Sequence, residues 1–341
     1  MKPTSDNQDT RKFLKVLILS TLGACLLLVS VNYSIDRYYV FHPQEEPFLE
    51  FLEPNMRALK TNVLKTHCAQ FDAVIFGSSR AAAIRTGDVN RAFGVTAYNF
   101  GVATGNLPDV LARLEWLNAM SCMPQTVILP LSIDRLHFTG RPNDLLRKEH
   151  PAIVGDPAYR REFLLSYLGV DAFFSNLGKL TDQLMGRPEP RFRYAPRSGD
   201  VDYLWDRKLE LRICPEATSR TDAVTIGHYV DYLERIGSLV RGSGSQLVLV
   251  WNPIPVMDQL AHLDDARALF GQFGGAEQMI YRLPPEDARL HDSSQYHDLG
   301  HYKPGLAAAV FTERAHHVPL RQLLNELQTL QNQCDAQNDS D

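Results

Sequence analysis

AVIFGSSRAAAI, at residues 73–84, joins a short apolar run to a Gly-Ser-Ser turn and a stretch of small residues. The apolar run Ala73–Phe76 predicts a buried strand, Gly77-Ser78-Ser79 predicts a tight turn, and Ala81–Ile84 predicts the start of a helix. A turn between a strand and a helix exposes a serine side chain at the end of the strand. The segment therefore predicts an α/β unit with a candidate nucleophile in its turn.

The same alternation of apolar strands and helices continues along the chain. Continuous apolar strands joined by helices predict a parallel sheet that is covered on both faces. Strands are predicted at Ala73–Phe76, Ala97–Phe100, Thr126–Leu129 and Gln246–Trp251, with helical stretches near Pro108–Met120 and Asp222–Val240.

Ligands of such sheets bind at the carboxyl ends of the strands. We therefore expect a binding site where the predicted strands end. Ser79, Gly101, the loop Pro130–Asp134 and Asn252-Pro253 follow those ends.

A second motif, Asp298-Leu299-Gly300-His301-Tyr302, lies some 220 residues after the first. At a spacing of three residues, the carboxylate is placed to accept from the imidazole Nδ1–H while Nε2 points outward. Ser79, His301 and Asp298 are the candidate nucleophile, general base and orienting carboxylate. Three alternatives stay open: Ser78 as nucleophile, His297 as base and Asp292 as carboxylate.

Three segments, in this order, resemble the sequence blocks of the SGNH (GDSL-type) hydrolases and their membrane-anchored acyltransferase relatives. Gly77-Ser78-Ser79 stands in place of the Gly-Asp-Ser block, Tyr98-Asn99-Phe100-Gly101 resembles the second block, and Asp298-x-x-His301 matches the last. The resemblance covers roughly Asp72–Gly140 and Ser245–Val310. It implies a flavodoxin-like three-layer parallel sheet, with Ser79 as nucleophile and the amides of Ser79 and Gly101 in the oxyanion hole.

One block departs from this pattern. After the third strand the family has Gly-x-Asn-Asp, whose Asn side chain donates to the oxyanion, whereas this chain has Leu131-Ser132-Ile133-Asp134. The loss of one oxyanion donor lowers turnover by about 10²–10³. Asn252, at the end of the fourth strand, is a candidate replacement.

The N-terminus carries an apolar run, Val16–Val31, preceded by Lys2, Arg11, Lys12 and Lys15. With Phe13 and Leu14 it approaches the ~20 residues that cross a bilayer. The preceding positive charges predict a single-pass anchor in the inner membrane, with a cytoplasmic N-terminus and the domain outside, periplasmic or extracellular. Alternatives are a cleaved signal peptide, or a lipoprotein processed at Cys25, although the residues after Cys25 stay apolar.

Composition fits one large domain with an anchor: 341 residues, 44% hydrophobic and 22% charged. A net charge of -5, without a basic stretch beyond the N-terminus, argues against a nucleic-acid partner. We expect an anchor at 1–35, a neck and lead-in helix at 36–65, an α/β domain at 66–335 and a disordered tail at 336–341. An insertion at about 139–220 is either a cap over the active-site edge or a packing subdomain.

The five cysteines are Cys25, Cys68, Cys122, Cys214 and Cys334, and their spacing shows no metal-binding motif. In the sheet order that the resemblance implies, the strands after Cys68 and Cys122 are neighbours. The resemblance therefore implies that these two cysteines lie close enough for a disulfide, which the compartment outside the membrane allows to form.

The resemblance implies a membrane-anchored enzyme that transfers or removes a short acyl group, most simply acetyl, on a cell-envelope polysaccharide, without a cofactor or metal. A multipass membrane protein is the expected acyl donor. The competing hypothesis is an SGNH-like protein without activity, which binds glycan or serves as an assembly partner.

Overall fold

The computed structural model describes residues 5–50, 52–136, 144–186, 189–212, 214–215, 218, 220–273, 278–312 and 317–338. The helices, in chain order, are α1 (Ser5–Ile35), α2 (Met56–His67), α3 (Ser79–Ala82), α4 (Thr86–Phe93), α5 (Leu107–Ala119), α6 (Pro151–Val154), α7 (Pro157–Leu168), α8 (Val170–Leu184), α9 (Ala223–Gly242), α10 (Val256–Ala261), α11 (Leu263–Gln272), α12 (Pro304–Thr312) and α13 (Leu320–Asn338). The strands are β1 (Phe48–Glu50), β2 (Ala73–Gly77), β3 (Ala97–Gly101), β4 (Thr126–Leu131), β5 (Phe192–Ala195), β6 (Asp200–Tyr203), β7 (Gln246–Trp251), β8 (Met279–Tyr281), β9 (Tyr296–Asp298), β10 (His301–Tyr302) and β11 (His317–Pro319).

A six-stranded sheet in the order β11-β8-β7-β4-β2-β3 forms the centre of this mixed α/β fold. Its ladders are parallel except for the edge pair β8 and β11. The four predicted strands are β2, β3, β4 and β7, and the mostly parallel sheet is confirmed. Ile75 pairs with Asn99 on one side and with Ile128 on the other, so β2 lies between β3 and β4.

The two strands that complete the sheet were not predicted. β8 and β11 are only three residues long, too short to show an apolar run or an alternating pattern. Every residue of β2, β3 and β4 is buried, as expected for parallel strands covered on both faces. Helices α5, α9 and α11 pack against one another in series, and α12 packs on α4.

A buried ion cluster joins the lead-in helix to the domain. Arg57 lies 2.8 Å from Asp109 and 3.0 Å from Glu149, whose Oε2 also accepts from Arg113 at 2.5 Å. The side chains of these four residues are at most 3% exposed, so two cations and two anions neutralise one another away from water. The cluster fixes α2 against α5.

The insertion divides into a helical half and a strand half. Its strands β5 and β6 form an antiparallel sheet with β1 of the neck. The turn between them reaches the edge strand β3, where Asn99 N donates to Ser198 O at 2.8 Å. Gly199, at φ +77°, fits there because a Cβ would lie 2.1 Å from the Asn99 carbonyl oxygen. The strand half therefore covers the edge of the central sheet.

Two disulfides are present among the described residues. Cys68 and Cys122 are joined with their Cα atoms 5.9 Å apart, at the ends where β2 and β4 begin. Cys214 and Cys334 are joined with Cα atoms 5.5 Å apart and link the end of the insertion to α13. This second pair was not predicted, because nothing local relates an insertion residue to a helix 120 residues later.

Both ends of the chain are helical in the described residues. Within α1, Thr10–Ile35 is long and apolar enough to cross a membrane, as an anchor or as a signal sequence. At the other end, α13 continues to Asn338. The tail predicted to be disordered over 336–341 is therefore helical as far as Asn338, while 339–341 lie outside the described residues. The first residues of the predicted insertion, 139–143, also lie outside them.

Candidate active site

The turn after β2 separates the roles of its two serines. Ser78 is the N-cap of α3, and its Oγ accepts from Arg80 N at 3.3 Å. Ser79 is the first residue of the helix, which leaves its side chain to face outward. Gly77 permits this turn, because its φ is +137° and a Cβ would lie 2.9 Å from Ala81 Cβ.

Ser79, His301 and Asp298 form one hydrogen-bonded chain. His301 Nε2 lies 3.0 Å from Ser79 Oγ, and His301 Nδ1 lies 2.8 Å from Asp298 Oδ1. Gly300 N donates to the same carboxylate oxygen at 2.8 Å and holds it in place. The histidine is thus oriented with Nδ1–H toward the carboxylate and Nε2 toward the serine, as in a Ser-His-Asp nucleophile system.

The ionisation of this chain suits base catalysis. Burial lowers the pKa of His301, and this outweighs the opposite effect of Asp298. Burial raises the pKa of Asp298, but hydrogen bonds from His301 and Gly300 outweigh it, so the net shift is downward. At neutral pH the imidazole is therefore neutral and able to accept the serine proton, while the carboxylate is charged.

Two aromatic residues of the insertion form a wall over the triad. Tyr203 OH donates to the Ser79 carbonyl oxygen at 2.8 Å, and its ring centroid lies 5.0 Å from that of His301. Trp205 Nε1 donates to Asp298 Oδ2 at 3.3 Å. The strand half of the insertion therefore contacts the candidate triad, whereas the helical half packs on α1.

Arg80 joins the two motifs. Its guanidinium pairs with both oxygens of Asp134, 2.7 Å from Oδ2, and its Nε donates to Gly300 O at 2.8 Å. The side chain is only 5% exposed. Arg80 thus holds the serine turn and the histidine loop in a fixed relation to the end of β4.

Neither predicted partner of the Ser79 amide is available as an oxyanion donor. Gly101 N donates to Asn99 Oδ1 at 2.7 Å, and its carbonyl accepts from Lys60 Nζ at 2.6 Å. A Cβ on Gly101 would lie 2.4 Å from Ala82 N, so close packing against α3 accounts for the glycine. We therefore do not retain Gly101 as an oxyanion donor.

Asn252 is also committed elsewhere. Its Nδ2 donates to Leu131 O at 2.7 Å and to Ser132 Oγ at 2.9 Å, and its Oδ1 accepts from Tyr302 OH at 2.9 Å. The residue is 2% exposed and joins the ends of β4 and β7. Its amide thus positions the Ser132 hydroxyl rather than an oxyanion.

Ser132 was missed as a site residue and has the better position. Ser132 directly follows the end of β4 and lines the same cavity as Ser79 and His301. Because the Ser132 oxygen accepts from Asn252, its own proton remains to be donated in another direction.

The three alternative residues are placed in structural roles. Ser78 caps α3. His297 Nδ1 contacts the Trp205 carbonyl oxygen at 2.7 Å and Asp206 Oδ1 at 2.8 Å. Asp292 accepts from the backbone and hydroxyl of Ser294 in an exposed turn. None of the three is placed in the hydrogen-bonded chain of Ser79.

A cavity of about 340 Å³ adjoins the triad. Ser79, Ser132 and His301 line it together with Glu53, whose pKa is raised by burial to about 7. The wall beyond these polar groups is apolar, as in typical small-molecule sites. It includes Leu107, Val110, Leu129, Leu131, Leu233 and Leu269. Among the described residues, no three His, Cys, Asp or Glu side chains converge as a metal site would require.

Compared with protein-family models, curated proteins and solved structures, the chain matches none. The SGNH resemblance therefore stays a resemblance that three sequence blocks carry.

Proposed function

We propose that the chain is a serine acyl-transfer enzyme that works through an acyl-enzyme on Ser79. The single observation that supports this best is the hydrogen-bonded chain from Ser79 through His301 to Asp298, at 3.0 and 2.8 Å, on the wall of a cavity. A serine, a neutral imidazole and a charged carboxylate in this order are the parts that nucleophilic acyl transfer needs.

In the first half-reaction Ser79 Oγ bonds to the acyl carbonyl carbon, and its proton passes to His301 Nε2. The carbonyl oxygen becomes an oxyanion that the Ser79 amide and the Ser132 hydroxyl stabilise. The tetrahedral intermediate then breaks its bond to the leaving oxygen, which takes the proton from His301. Asp298 stays ionised throughout and stabilises the transient imidazolium.

In the second half-reaction an acceptor hydroxyl gives its proton to His301 Nε2 and attacks the acyl-enzyme. Collapse returns that proton to Ser79 and releases the new ester. A water molecule in the acceptor position makes the same steps a hydrolysis. A sugar hydroxyl makes them an O-acyl transfer.

The location and the acceptor follow from the resemblance and the N-terminus. Arg11, Lys12 and Lys15 precede the apolar part of α1, so we propose a cytoplasmic N-terminus and a domain outside the inner membrane. Two disulfides suit that oxidising compartment. The acceptor would be a cell-envelope polysaccharide, the acyl group acetyl, and the donor a multipass membrane protein.

One observation favours the competing hypothesis, a glycan-binding or assembly protein without activity. Gly101 and Asn252, the two expected partners of the Ser79 amide, are both engaged in internal hydrogen bonds. Without Ser132 as a donor, only one amide would stabilise the oxyanion. A missing donor lowers turnover by about 10²–10³.

Fluorophosphonate labelling of the full-length protein separates the two hypotheses. An acyl-transfer enzyme is labelled, and Ser79→Ala abolishes labelling with little change in thermal unfolding. Ser78→Ala is the matched control, since it removes a helix cap, worth about 1 kcal/mol, and keeps the label. An unlabelled wild type would favour the inactive protein, and labelling lost only in Ser78→Ala would move the nucleophile to Ser78.

A further inference from the structure

Helices α7 and α8 expose an apolar surface away from the active-site cavity. On α8, Val170, Phe174, Leu177 and Leu184 recur at helical spacing on one side, and their exposed fractions range from 37% to 79%. On α7, Leu164 and Leu165 are 40% and 59% exposed. A contiguous surface of large apolar side chains on a soluble domain marks a contact with a membrane or another molecule.

The α7–α8 hairpin is fixed to the end of α1. Asn32 Nδ2 donates to Gly169 O, between the two helices, at 2.8 Å. Asn176 Nδ2 donates to Asn32 Oδ1 at 3.0 Å, and Arg37 N donates to Asn176 Oδ1 at 3.0 Å. Asn32 and Asn176 are each 1% exposed. These hydrogen bonds therefore fix the position of the hairpin along the axis of α1.

The length of the apolar part of α1 then gives the position of the hairpin relative to the hydrocarbon core of a bilayer. The part that is exposed on all sides and apolar apart from Lys15, Phe13–Leu27, is about 15 residues and spans roughly 22 Å at 1.5 Å per residue. A hydrocarbon core is ~30 Å thick. About 8 Å of it must therefore surround the turns after Leu27, which include Asn32, the residue hydrogen-bonded to Gly169 and Asn176.

Two further features suit this position. Tyr33, 50% exposed on the last turn of α1, lies where aromatic side chains collect at a membrane–water interface. Arg160 and Arg161, exposed on α7, precede Leu164 and Leu165 by one turn. Cations beside an apolar side are typical of helices that lie in the headgroup region.

From this we infer that the α7–α8 hairpin is a membrane-surface element, with its apolar side immersed in the outer interface of the bilayer that α1 crosses. The inference rests on the proposed anchor role of α1. A lipid surface is favoured over a second protein because the height of the hairpin follows from the length of α1. The hairpin also reaches the neck, where Lys179 Nζ lies 3.3 Å from Glu50, so the domain is held against the membrane.

The test uses the full-length chain with Cys25→Ser, the exposed unpaired cysteine, and one new cysteine at Phe174. The cysteine carries a fluorophore, and the protein is reconstituted in vesicles of phosphatidylcholine and phosphatidylglycerol with bromine on the acyl chains. The matched control is Val224→Cys, an apolar residue at the start of α9 that is 69% exposed. We expect lipid bromine to quench the fluorophore at Phe174 at least threefold more than the one at Val224.

Equal quenching at the two sites, with the Phe174 fluorophore open to iodide in water, would overturn the inference. So would shielding from iodide only in native membranes, together with crosslinking to one membrane protein, because the surface would then bind that protein. Two controls keep the tests separate. Failure of the chain to cofractionate with membranes at full length rejects the anchor, and fluorophosphonate labelling of the same sample reports on Ser79 independently.

Discussion

Ser132→Ala tests the oxyanion hole, the part of the proposed enzyme that departs most from the resembled family. The change removes one hydroxyl that lines the same cavity as Ser79 and His301. Asn252 keeps its 2.7 Å hydrogen bond to Leu131 O in the variant, so the ends of β4 and β7 remain joined. We therefore expect the fold to be nearly unchanged.

The expected loss of turnover follows from the charge that develops on the oxygen to which the Ser132 hydroxyl would donate. A neutral donor at a developing oxyanion is worth about 10²–10³ in turnover, or roughly 3–4 kcal/mol of transition-state stabilisation. The ground-state ester carries no full charge on its oxygen, so KM should change little. The hydrogen bond from Asn252 that the folded state loses is worth only about 1 kcal/mol of stability.

The assay is turnover of a small aryl acetate by the full-length protein, with the rate of fluorophosphonate labelling measured in parallel. We expect kcat to fall about 10²-fold at an almost constant KM, and labelling to slow by a similar factor. Ser78→Ala, in the same turn, is the control for a serine with a structural role. A Ser132→Ala variant with a kcat within about threefold of the wild-type value would refute the assignment, because removal of an oxyanion donor lowers turnover by about 10²–10³.

Three further outcomes are expected. Burial lowers the pKa of His301, so kcat/KM should stay constant down to below pH 6.5 and fall only when the imidazole of the free enzyme is protonated. Glu149→Gln leaves two buried guanidinium groups underneutralised and should cost about 3–5 kcal/mol in chemical unfolding, against at most about 1 kcal/mol for the exposed control Glu115→Gln. If the cavity holds the acyl chain, each added methylene should raise kcat/KM by roughly fourfold up to its capacity, and Leu233→Trp should remove that gain while sparing the acetyl ester.

Local patterns predicted the elements that local interactions determine. The apolar run Ala73–Phe76 and its turn contain both the strand and the serine, and the spacing from Asp298 to His301 lies within one loop. The structure brings these two segments together at the end of the sheet, through the 3.0 Å contact of Ser79 with His301. A central strand needs little context, because burial on both faces requires a continuous apolar sequence.

The oxyanion assignments failed because they depend on hydrogen-bond competition that a sequence does not show. Gly101 stands in the expected block, yet its backbone N–H donates a hydrogen bond to the side chain of Asn99, two residues earlier. Asn252 follows its strand as predicted, but buried carbonyl and hydroxyl oxygens use both of its amide protons. Ser132 has no distinctive sequence signal. Its candidacy comes from its place in the cavity wall with Ser79 and His301 and from the hydrogen bond that it accepts from Asn252.

The aromatic wall was missed for a different reason. Tyr203 and Trp205 hydrogen-bond to residues 124 and 93 positions away along the chain, so only the folded insertion relates them to the triad. The strand half of the insertion is attached to β3 through Ser198, and Cys214, which follows it in the chain, is bridged to α13. Burial, to which this wall contributes, lowers the pKa of the His301 imidazole, although 24% of that side chain stays exposed. In the reaction that we propose, a base with a lowered pKa stays neutral at physiological pH and can accept the proton of whichever hydroxyl, water or sugar, enters the cavity.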